Sequence, residues 1–430
     1  MDIAILGAGN RGMNVYGRIF SSMAGARISA VCETDGVKLD EAMRRFRVEE
    51  KNCFADEDGF FARGVLADGL VIATMDRDHH RQTLKAIRTG YKKILLEKPV
   101  SEKLKEVEEL VRVATANGVE ILVCHVLRYS GFYKMINDII KSGKIGDVID
   151  VNHQENVGYW HFAHSFTRGN WRRADTSAPI LLAKTCHDFD LLYWFVGSKC
   201  VKIQSYGELT HFRRECAPKG CTKRCLDGCA YIDSCPFSAK KLYLNAKTPI
   251  GWGIFHVAGK NGATTAEVEA ALKDINNPYG RCVYHCDNDV NDHQVVIMRF
   301  ENGATATLTV TAFSENCYRR IHVMGTKGEI IGTDSDKYLT VNVFGESNKK
   351  ILGKKVNRIK IKNQGGHLGG DNGICETFGK LVAGEKIDPD YLTTIDVTLE
   401  SHRMIFDAER SMRSGGTGFH ELTDGLKMLK

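Results

Sequence analysis

The first twenty residues constrain the fold of this 430-residue chain more than any other stretch. A short apolar run at residues 3–6 is followed by Gly7, Gly9 and Gly12, and a helix-compatible segment begins near Arg11. This order predicts the strand, tight turn and helix with which a dinucleotide-binding βαβ unit begins. In such a unit the first glycine permits the turn, the second lets the backbone approach a pyrophosphate, and the third lets the helix pack on the strand. The free N–H groups at the start of the helix then face the phosphates.

The rest of the N-terminal third alternates strands with helices. Continuous apolar runs predict strands at 27–32, 69–73, 93–97 and 121–124, and helical periodicity predicts helices at 36–46, 80–89 and 103–117. Buried strands that alternate with helices form a parallel sheet covered on both faces. We therefore predict an α/β Rossmann domain with a doubly wound parallel sheet over residues 1–126.

Ligands bind such sheets at the carboxyl ends of the strands. The glycine turn, Glu33, Thr74, Lys98 and His125 all fall at those ends. An acid at the end of the second strand, here Glu33, accepts hydrogen bonds from the ribose hydroxyls of adenosine, and no Arg or Lys follows it before Lys38. This pattern favours NAD over NADP, although an acid in this place is also compatible with a solvated strand end.

The pattern changes after residue 126. Alternating strands are predicted at 148–156, 201–209, 292–300, 304–311, 319–325 and 337–344, with few helices between them. Long strands in succession predict a large, mostly antiparallel sheet, packed on helices near 186–196 and 399–411. The second domain is therefore an α+β domain over residues 127–430, interrupted at about 211–290 by a cysteine-bearing insertion.

Taken together, the ordered motifs resemble one superfamily, the Gfo/Idh/MocA oxidoreductases, which includes glucose–fructose oxidoreductase and inositol 2-dehydrogenase. The similar segments are GAGNRG at 7–12, VIATMDRDHH at 71–80, ILLEKP at 94–99 and CHDFDLLYWFVG at 186–197. Three C-terminal segments also match, NDHQVVIMRFENGATATLTVTA, GHLGGDNG and TLESHRMIFDAERS. The resemblance covers nearly the whole chain except about residues 211–280.

The resemblance implies hydride transfer between a nicotinamide and a carbon bearing a hydroxyl, usually on a sugar or cyclitol. It assigns catalytic roles to Lys98, which matches the family's E-K-P lysine, and to His187, which opens the H-D-x-D helix. A histidine titrates near neutral pH and is able to accept an alcohol proton as the hydride leaves. The alternatives are a surface lysine and a core histidine. The matching motifs place further residues at the cofactor: Gly7, Gly9, Asn10, Arg11, Gly12, Glu33, Thr74, His80 and Glu97.

The substrate side departs from the family at one position. Many members carry Asp four residues before the catalytic histidine, where this chain has Ala183 beside Lys184. The segment 160–173 upstream is dense in aromatic, His and Arg residues, which stack on sugar rings and bind carboxylates or sulfonates. We expect an anionic substrate such as a sugar acid; the alternative is that Lys184 pairs with Asp188 and the arginines face solvent. The substrate candidates are Lys184, His125, Arg128, Trp160, His161, Arg168, Trp171, Arg172 and His367.

The insertion carries closely spaced cysteines in the run FRRECAPKGCTKRCLDGCAYIDSC, with Cys282 and Cys286 beyond it. Thiolates three to five residues apart can converge on a tetrahedral ion, and a structural zinc would supply folding energy that this polar loop lacks. Cys225, Cys229 and Cys235 are the best ligand candidates, with Cys282 as the fourth. Free thiols and an iron–sulfur cluster remain open alternatives.

Composition excludes several other classes. The net charge of +6 is small for this length and shows no basic block, so nucleic-acid binding is not indicated. No apolar run approaches the roughly 20 residues that span a bilayer. No leader segment precedes the first strand, and the many cysteines are typical of a reducing compartment, so we expect a cytoplasmic protein. The resemblance implies a homodimer or homotetramer.

Three functions compete at this point. The leading one is an NAD-dependent dehydrogenase of a sugar, sugar acid or cyclitol. The second is a redox-neutral glycosidase that keeps NAD bound, oxidises a ring hydroxyl, eliminates the aglycone and then reduces the product. The third is a non-catalytic nucleotide sensor, which would need neither Lys98 nor His187.

Overall fold

The computed structural model describes residues 1–245, 250–346, 350–351, 354–355, 357–361, 365–416 and 420–421. The N-terminal domain is built on six parallel strands in the order β3-β2-β1-β4-β5-β6. These strands are β1 (Asp2–Leu6), β2 (Arg27–Cys32), β3 (Cys53–Phe54), β4 (Gly69–Ile72), β5 (Lys93–Leu96) and β6 (Glu120–Val123). Their apolar side chains divide between two buried clusters, one on each face of the sheet. The predicted doubly wound parallel sheet is confirmed.

Helices connect these strands. Wide helical turns at Asn10–Gly17 lead into α1 (Arg18–Ser22), and the helices that follow are α2 (Gly36–Phe46), α3 (Glu57–Ala62), α4 (His79–Thr89) and α5 (Leu104–Ala116). Asp35 caps the N-terminus of α2, because its carboxylate accepts from the amides of Val37 and Lys38. This cap begins α2 two residues after Glu33 and so fixes the backbone beside that acid.

The second domain is built on nine strands in the order β16-β13-β12-β11-β7-β10-β9-β8-β17. Its strands are β7 (Val148–Asn156), β8 (Cys200–Glu208), β9 (His293–Phe300), β10 (Thr305–Thr311), β11 (Tyr318–Gly325), β12 (Gly328–Thr333), β13 (Tyr338–Val343), β16 (Arg358–Lys360) and β17 (His420–Glu421), while β14 (Lys350–Ile351) and β15 (Lys354–Lys355) form a separate pair. Only β7 and β10 are parallel among the described pairs of the large sheet. The mostly antiparallel sheet is confirmed; β12 was not predicted, because Gly328, Glu329 and Gly332 interrupt its apolar pattern.

The helices of the second domain pack on the large sheet, on one another and on the first domain. They are α6 (Gly131–Lys141), α7 (Tyr159–Phe162), α8 (Ile180–Ala183), α9 (Cys186–Val196), α10 (Ala239–Tyr243), α11 (Ile254–Ala258), α12 (Thr265–Lys273), α13 (Gly370–Val382) and α14 (Ile395–Arg413). Helix α9 packs on β7, while α14 packs on β8, on α9 and on α5 of the first domain. The opposite face of the sheet exposes apolar side chains such as Tyr206 and Ile297.

The insertion leaves the sheet after β8 and returns at β9, and it contains α10, α11 and α12. None of the helices in the described ranges is both long enough and apolar enough to cross a membrane.

Candidate active site

The glycine turn after β1 leaves room for a pyrophosphate. Gly7 has a φ of +93°, and a Cβ at Gly12 would lie 1.8 Å from the carbonyl oxygen of Gly7, so neither position accepts another residue. A Cβ at Gly9, in contrast, would meet nothing within 4 Å. Close packing therefore does not explain Gly9, and the open space before it fits a dinucleotide phosphate at the start of the helix.

Glu33 lies against the same turn. Its Oε2 accepts from the amide of Ala8 at 2.8 Å and its Oε1 from the amide of Asp35 at 3.0 Å. Lys38, the first cation after this strand, is paired with Asp35 at 2.8 Å. The carboxylate thus stands at the predicted ribose position with no free cation from this stretch beside it.

Asn10 and Thr74 border the turn, and each side chain makes a hydrogen bond within the protein. The amide oxygen of Asn10 accepts from Asn14 at 3.2 Å, and the hydroxyl of Thr74, which follows β4, donates to Gln82. Both lie at the carboxyl edge of the sheet, as predicted.

Arg11 and Glu97 form a buried ion cluster that includes two residues the sequence did not single out. Arg11 donates to Glu97 at 2.6 Å and to Asp371 at 2.9 Å, and the hydroxyl of Tyr16 bonds to the same Glu97 oxygen. Burial raises the pKa of Glu97, but the positive charges of Arg11 and Lys98 outweigh it and hold that pKa below its ordinary value. Arg11 therefore joins the glycine turn to the end of β5 and to α13.

His80 does not turn toward the cofactor cleft, which corrects the prediction from its motif. Its Nε2 lies 2.9 Å from Glu109 of α5, so it ties α4 to α5. The neighbouring His79 is fully buried, with Nδ1 2.6 Å from the carbonyl of Pro99 and Nε2 3.3 Å from that of Thr74. His79 is thus the residue of this pair that positions two strand ends at the cleft.

Lys98 and His187 lie close enough for the charge of the lysine to act on the imidazole. Lys98 follows β5, precedes a cis bond to Pro99, and donates through Nζ to the carbonyl of Ala183 at 2.9 Å. His187 stands in the first turn of α9. Burial, followed by the positive charge of Lys98, lowers the pKa of His187 well below its ordinary value, so the imidazole is neutral at pH 7 and able to accept a proton. The family's missing Asp is replaced here by a main-chain carbonyl that holds the lysine.

His125 lies beside this pair, with its ring centroid 5.7 Å from that of His187. It is fully buried, and neither ring nitrogen has a hydrogen-bond partner. Its ligand atoms and those of Cys186 and His187 lie within 4.8 Å of one another, the one such trio found in the described residues. This spacing suits a metal ion, but the adjacent ammonium of Lys98 opposes a second cation there.

Lys184 is not a free cation, which corrects the basis of the anionic-substrate prediction. Its Nζ lies 3.2 Å from Glu155, not beside Asp188. Glu155 also pairs with Arg319 at 2.8 Å, and Arg319 pairs with Asp188 at 2.7 Å. His153 completes the network, 2.6 Å from Asp188. The charges of Lys184 and Arg319 are therefore balanced by two buried carboxylates.

Two predicted arginines are also paired away from the substrate. Arg128 is 3% exposed and binds Asp190 of α9 in bidentate fashion, with both distances 2.7 Å. Arg172 binds Asp287 of the insertion at 2.8 and 3.2 Å. Each guanidinium thus already has a carboxylate partner from a distant segment, and a contact of either arginine with substrate stays a prediction.

Arg168 is fully buried, so it cannot contact substrate as predicted. Its guanidinium donates to the carbonyls of Arg281 at 2.7 Å and Phe237 at 2.8 Å, and lies 3.6 Å from the Sγ of Cys225. Because these partners lie in different parts of the insertion, Arg168 holds the insertion together and ties it to the segment after β7.

The aromatic candidates, Trp171, Trp160 and His161, all make contacts within the protein. The indole of Trp171 donates to Asp76, at the end of β4, and that of Trp160 donates to the carbonyl of Glu315. His161 stacks on Trp160, and Cys317 lies 3.5 Å from its Nδ1. Burial, then the charge of Lys184, lowers the pKa of His161 well below its ordinary value, so this ring is neutral.

His367, the last of the substrate candidates, lies near His187. Its ring centroid lies 6.3 Å from that of His187, and its Nδ1 lies 3.0 Å from Asp371. The backbone at His367 has a φ of +47°, a left-handed conformation that a residue with a side chain rarely adopts. The contact with Asp371 holds it there, which couples His367 to the ion cluster of Arg11.

The predicted zinc ligands do not form a ligand set. All fourteen cysteines are free thiols, and no three thiols of the described residues lie within 4.8 Å of one another. Cys225, Cys229, Cys235 and Cys282 therefore do not fit a tetrahedral ion as they are placed.

The burial of Arg168 predicts a structural role that a substitution will expose. Arg168→Met should lower the free energy of unfolding by about 2–6 kcal/mol, since two main-chain carbonyls lose their donor at about 1–3 kcal/mol each. Urea unfolding is the measurement, with Arg214→Met, an exposed arginine of the same insertion, as the control. A raised KM with unchanged stability would instead return Arg168 to the substrate site.

Two buried histidines predict loss of stability in mild acid. Burial, together with a neighbouring histidine, lowers the pKa of His164 and of His402 to about 3. Their ordinary value in the unfolded chain is 6.5, so below that pH the unfolded state binds more protons and the free energy of unfolding falls by about 1.4 kcal/mol per pH unit for each residue. Urea unfolding at pH 7, 6 and 5 measures the slope. His402→Gln should make this slope smaller by about 1.4 kcal/mol per pH unit, because one histidine fewer takes up a proton on unfolding. Equal slopes for variant and wild type would contradict the assignment.

Two family profiles match the chain. The profile described as "Oxidoreductase family, NAD-binding Rossmann fold" matches residues 1–125, and that described as "Oxidoreductase family, C-terminal alpha/beta domain" matches residues 137–417. Both are profiles of the Gfo/Idh/MocA family, and the second alone covers more than half of the chain.

Individual relatives are distant. The chain is 24% identical over 368 residues to the putative oxidoreductase YteT of Bacillus subtilis, covering 81% of this chain and 82% of that protein. It is 24% identical to inositol 2-dehydrogenase 1 of Paenarthrobacter aurescens over 47% of this chain and 56% of that enzyme. In structure it is similar to an oxidoreductase from Agrobacterium radiobacter in complex with NAD+, L-tartaric acid and magnesium, with a TM-score of 0.67, 15% identity and 98% of each chain covered. The chain belongs to the Gfo/Idh/MocA oxidoreductases, and its N-terminal domain is their NAD-binding domain.

Proposed function

We propose that this protein is an NAD-dependent dehydrogenase that acts on a ring hydroxyl of a sugar or cyclitol. The observation that carries the proposal is the meeting of Lys98 and His187 beside the glycine turn. The ammonium is held by the carbonyl of Ala183 and the imidazole is neutral, so one group stabilises an oxygen and the other takes its proton.

NAD+, when bound, supplies the nicotinamide carbon that accepts the hydride. Gly9 and the N–H groups at the start of the helical turns bind the phosphates, and Glu33 accepts from the ribose. Neutral His187 removes the proton of the substrate hydroxyl as the C–H bond breaks, and the resulting carbonyl oxygen keeps a hydrogen bond to Lys98 Nζ. The substrate would thus lose a hydride to the nicotinamide carbon and a proton to an imidazole nitrogen of His187.

The paired charges favour a neutral substrate over the anionic one expected from the sequence. Lys184, Arg168 and Arg172 each have partners within the protein. An anionic group gains charge-assisted hydrogen bonds only from donors that are free to turn toward it. The relatives include enzymes named inositol 2-dehydrogenase, whose printed substrate is a neutral cyclitol.

The redox-neutral glycosidase would use the same lysine and histidine and adds an elimination step that no contact in the site requires. The dehydrogenase is therefore the simpler proposal. Zinc has no place in it, because the described thiols do not converge. We also propose a homodimer or homotetramer formed through the exposed face of the large sheet, and a cytoplasmic location, which suits fourteen free thiols.

Loss of either proposed catalytic group should abolish most of the turnover. Lys98→Met and His187→Gln should each reduce kcat about 10²–10⁴-fold while NAD+ still binds, since proton transfer by a placed side chain contributes that much. Turnover is measured by NADH absorbance at 340 nm. The substrates are myo-inositol and a set of neutral sugars, and the corresponding sugar acids serve as the comparison. Lys103→Met and His322→Gln, on surfaces away from the site, are the controls. Near-normal turnover in either site variant would remove that residue from the mechanism.

The position of Glu33 predicts a preference for NAD+ over NADP+. A 2′-phosphate would be repelled by this carboxylate. Glu33→Ser should therefore reduce the ratio of the dissociation constants of NADP+ and NAD+ at least tenfold, or by about 1.4 kcal/mol. Calorimetric titration of both nucleotides measures it, with Asp40→Ser on the exposed side of α2 as the control. Tighter binding of NADP+ by the wild type would refute the assignment.

A further inference from the structure

The insertion reaches across to the nucleotide-binding domain. We call residues 252–261 the strap. At its first end Trp252 packs edge-to-face on His161, with ring centroids 5.3 Å apart, and on His164, at 5.0 Å. The strap therefore starts at the segment after β7, on the substrate side of the molecule.

At its other end the strap is bonded to the nucleotide-binding domain. The side-chain amide of Asn261 donates to Glu41 of α2 at 2.7 Å and to Asn14 at 3.3 Å. Asn14 in turn bonds to Asn10 at the glycine turn and accepts from Arg45 at 2.7 Å. These contacts lie on the two elements, the first helical turns and α2, that follow the pyrophosphate and ribose positions.

Helix α11 in the middle of the strap divides its apolar side chains between the two domains. Phe255, 6% exposed, belongs to the buried cluster of the nucleotide-binding domain that contains Ala8 and Met13. Val257 of the same helix belongs to the cluster of the second domain. A segment that is anchored in both cores closes the side of the cleft that lies between them.

The outer junction of the strap is built to open. A groove of about 610 Å³ is lined there by Asn14, Glu41, Arg44, Arg45 and Asn261, which are polar throughout. Breaking exposed polar contacts costs little, because water replaces them. The strap can therefore release its outer end to admit a nucleotide. Burial of Phe255 in the nucleotide-binding domain then favours the closed position of the strap.

We propose that the strap forms one wall of the cofactor site and retains NAD(H) between turnovers, so that the nucleotide leaves only when Phe255 and Asn261 release the nucleotide-binding domain. The proposal rests on the proposed function only in that NAD(H) is the cofactor.

The test is the rate at which the full-length protein releases NAD+. Protein loaded with NAD+ is mixed with excess etheno-NAD+, and fluorescence follows the exchange. Phe255→Ala should accelerate dissociation at least tenfold, and Asn261→Asp, which places a negative charge against Glu41, several-fold. Phe237→Ala is the matched control, because Phe237 is a phenylalanine of the same insertion, 7% exposed, in the core of the second domain.

Hydrogen exchange gives a readout that is independent of rates of catalysis. NAD+ should slow amide exchange in residues 252–261 and leave α12, which follows in the same insertion, unchanged. Unaltered dissociation in both strap variants, or equal acceleration by Phe237→Ala, would overturn the proposal. Failure of the wild type to bind NAD+ at all would instead refute the proposed function, so the two failures are distinct.

Discussion

The buried ion cluster of Arg11, Glu97 and Asp371 fixes the geometry on which the site depends. Removing one partner of a buried charge set leaves an uncompensated charge and costs several kcal/mol, so its members cannot move independently. Arg11 belongs to the glycine turn, Glu97 directly precedes Lys98, and Asp371 holds His367. The glycine turn, Lys98 and His367 are therefore placed by one set of contacts, drawn from segments up to 360 residues apart.

A second buried network fixes the helix that carries His187, the histidine we propose as catalytic. Asp188 and Asp190 follow His187 on α9, and each is bound to an arginine, Arg319 and Arg128 respectively. The two acids point about 200° apart around the helix axis, so their pairing limits rotation of the helix. Burial, followed by the charge of Lys98, keeps the pKa of His187 low and the ring able to accept a proton.

The parts of the site that follow from local pattern were predictable, and those that depend on distant partners were not. Continuous apolar runs predicted the parallel strands, and the strand-end rule then placed Glu33 and Lys98 correctly. The sequence shows the type of a cation but not its partner: Arg172 meets Asp287, 115 residues away. His80 pairs with Glu109 while His79 contacts the two strand ends, because successive residues at the start of a helix point about 100° apart.

The positive residues of the segment after β7 therefore serve the architecture. Arg168 binds main-chain carbonyls of the insertion, and the insertion in turn packs Phe255 into the nucleotide-binding domain. Trp171 adds a direct bond to Asp76 at the end of β4. Because these contacts engage donors of both residues inside the protein, a count of arginines near His187 does not measure the electric field at the substrate. In the mechanism we propose, the cation left at the reacting oxygen is Lys98, and one ammonium beside a neutral imidazole suits an alcohol that becomes a ketone.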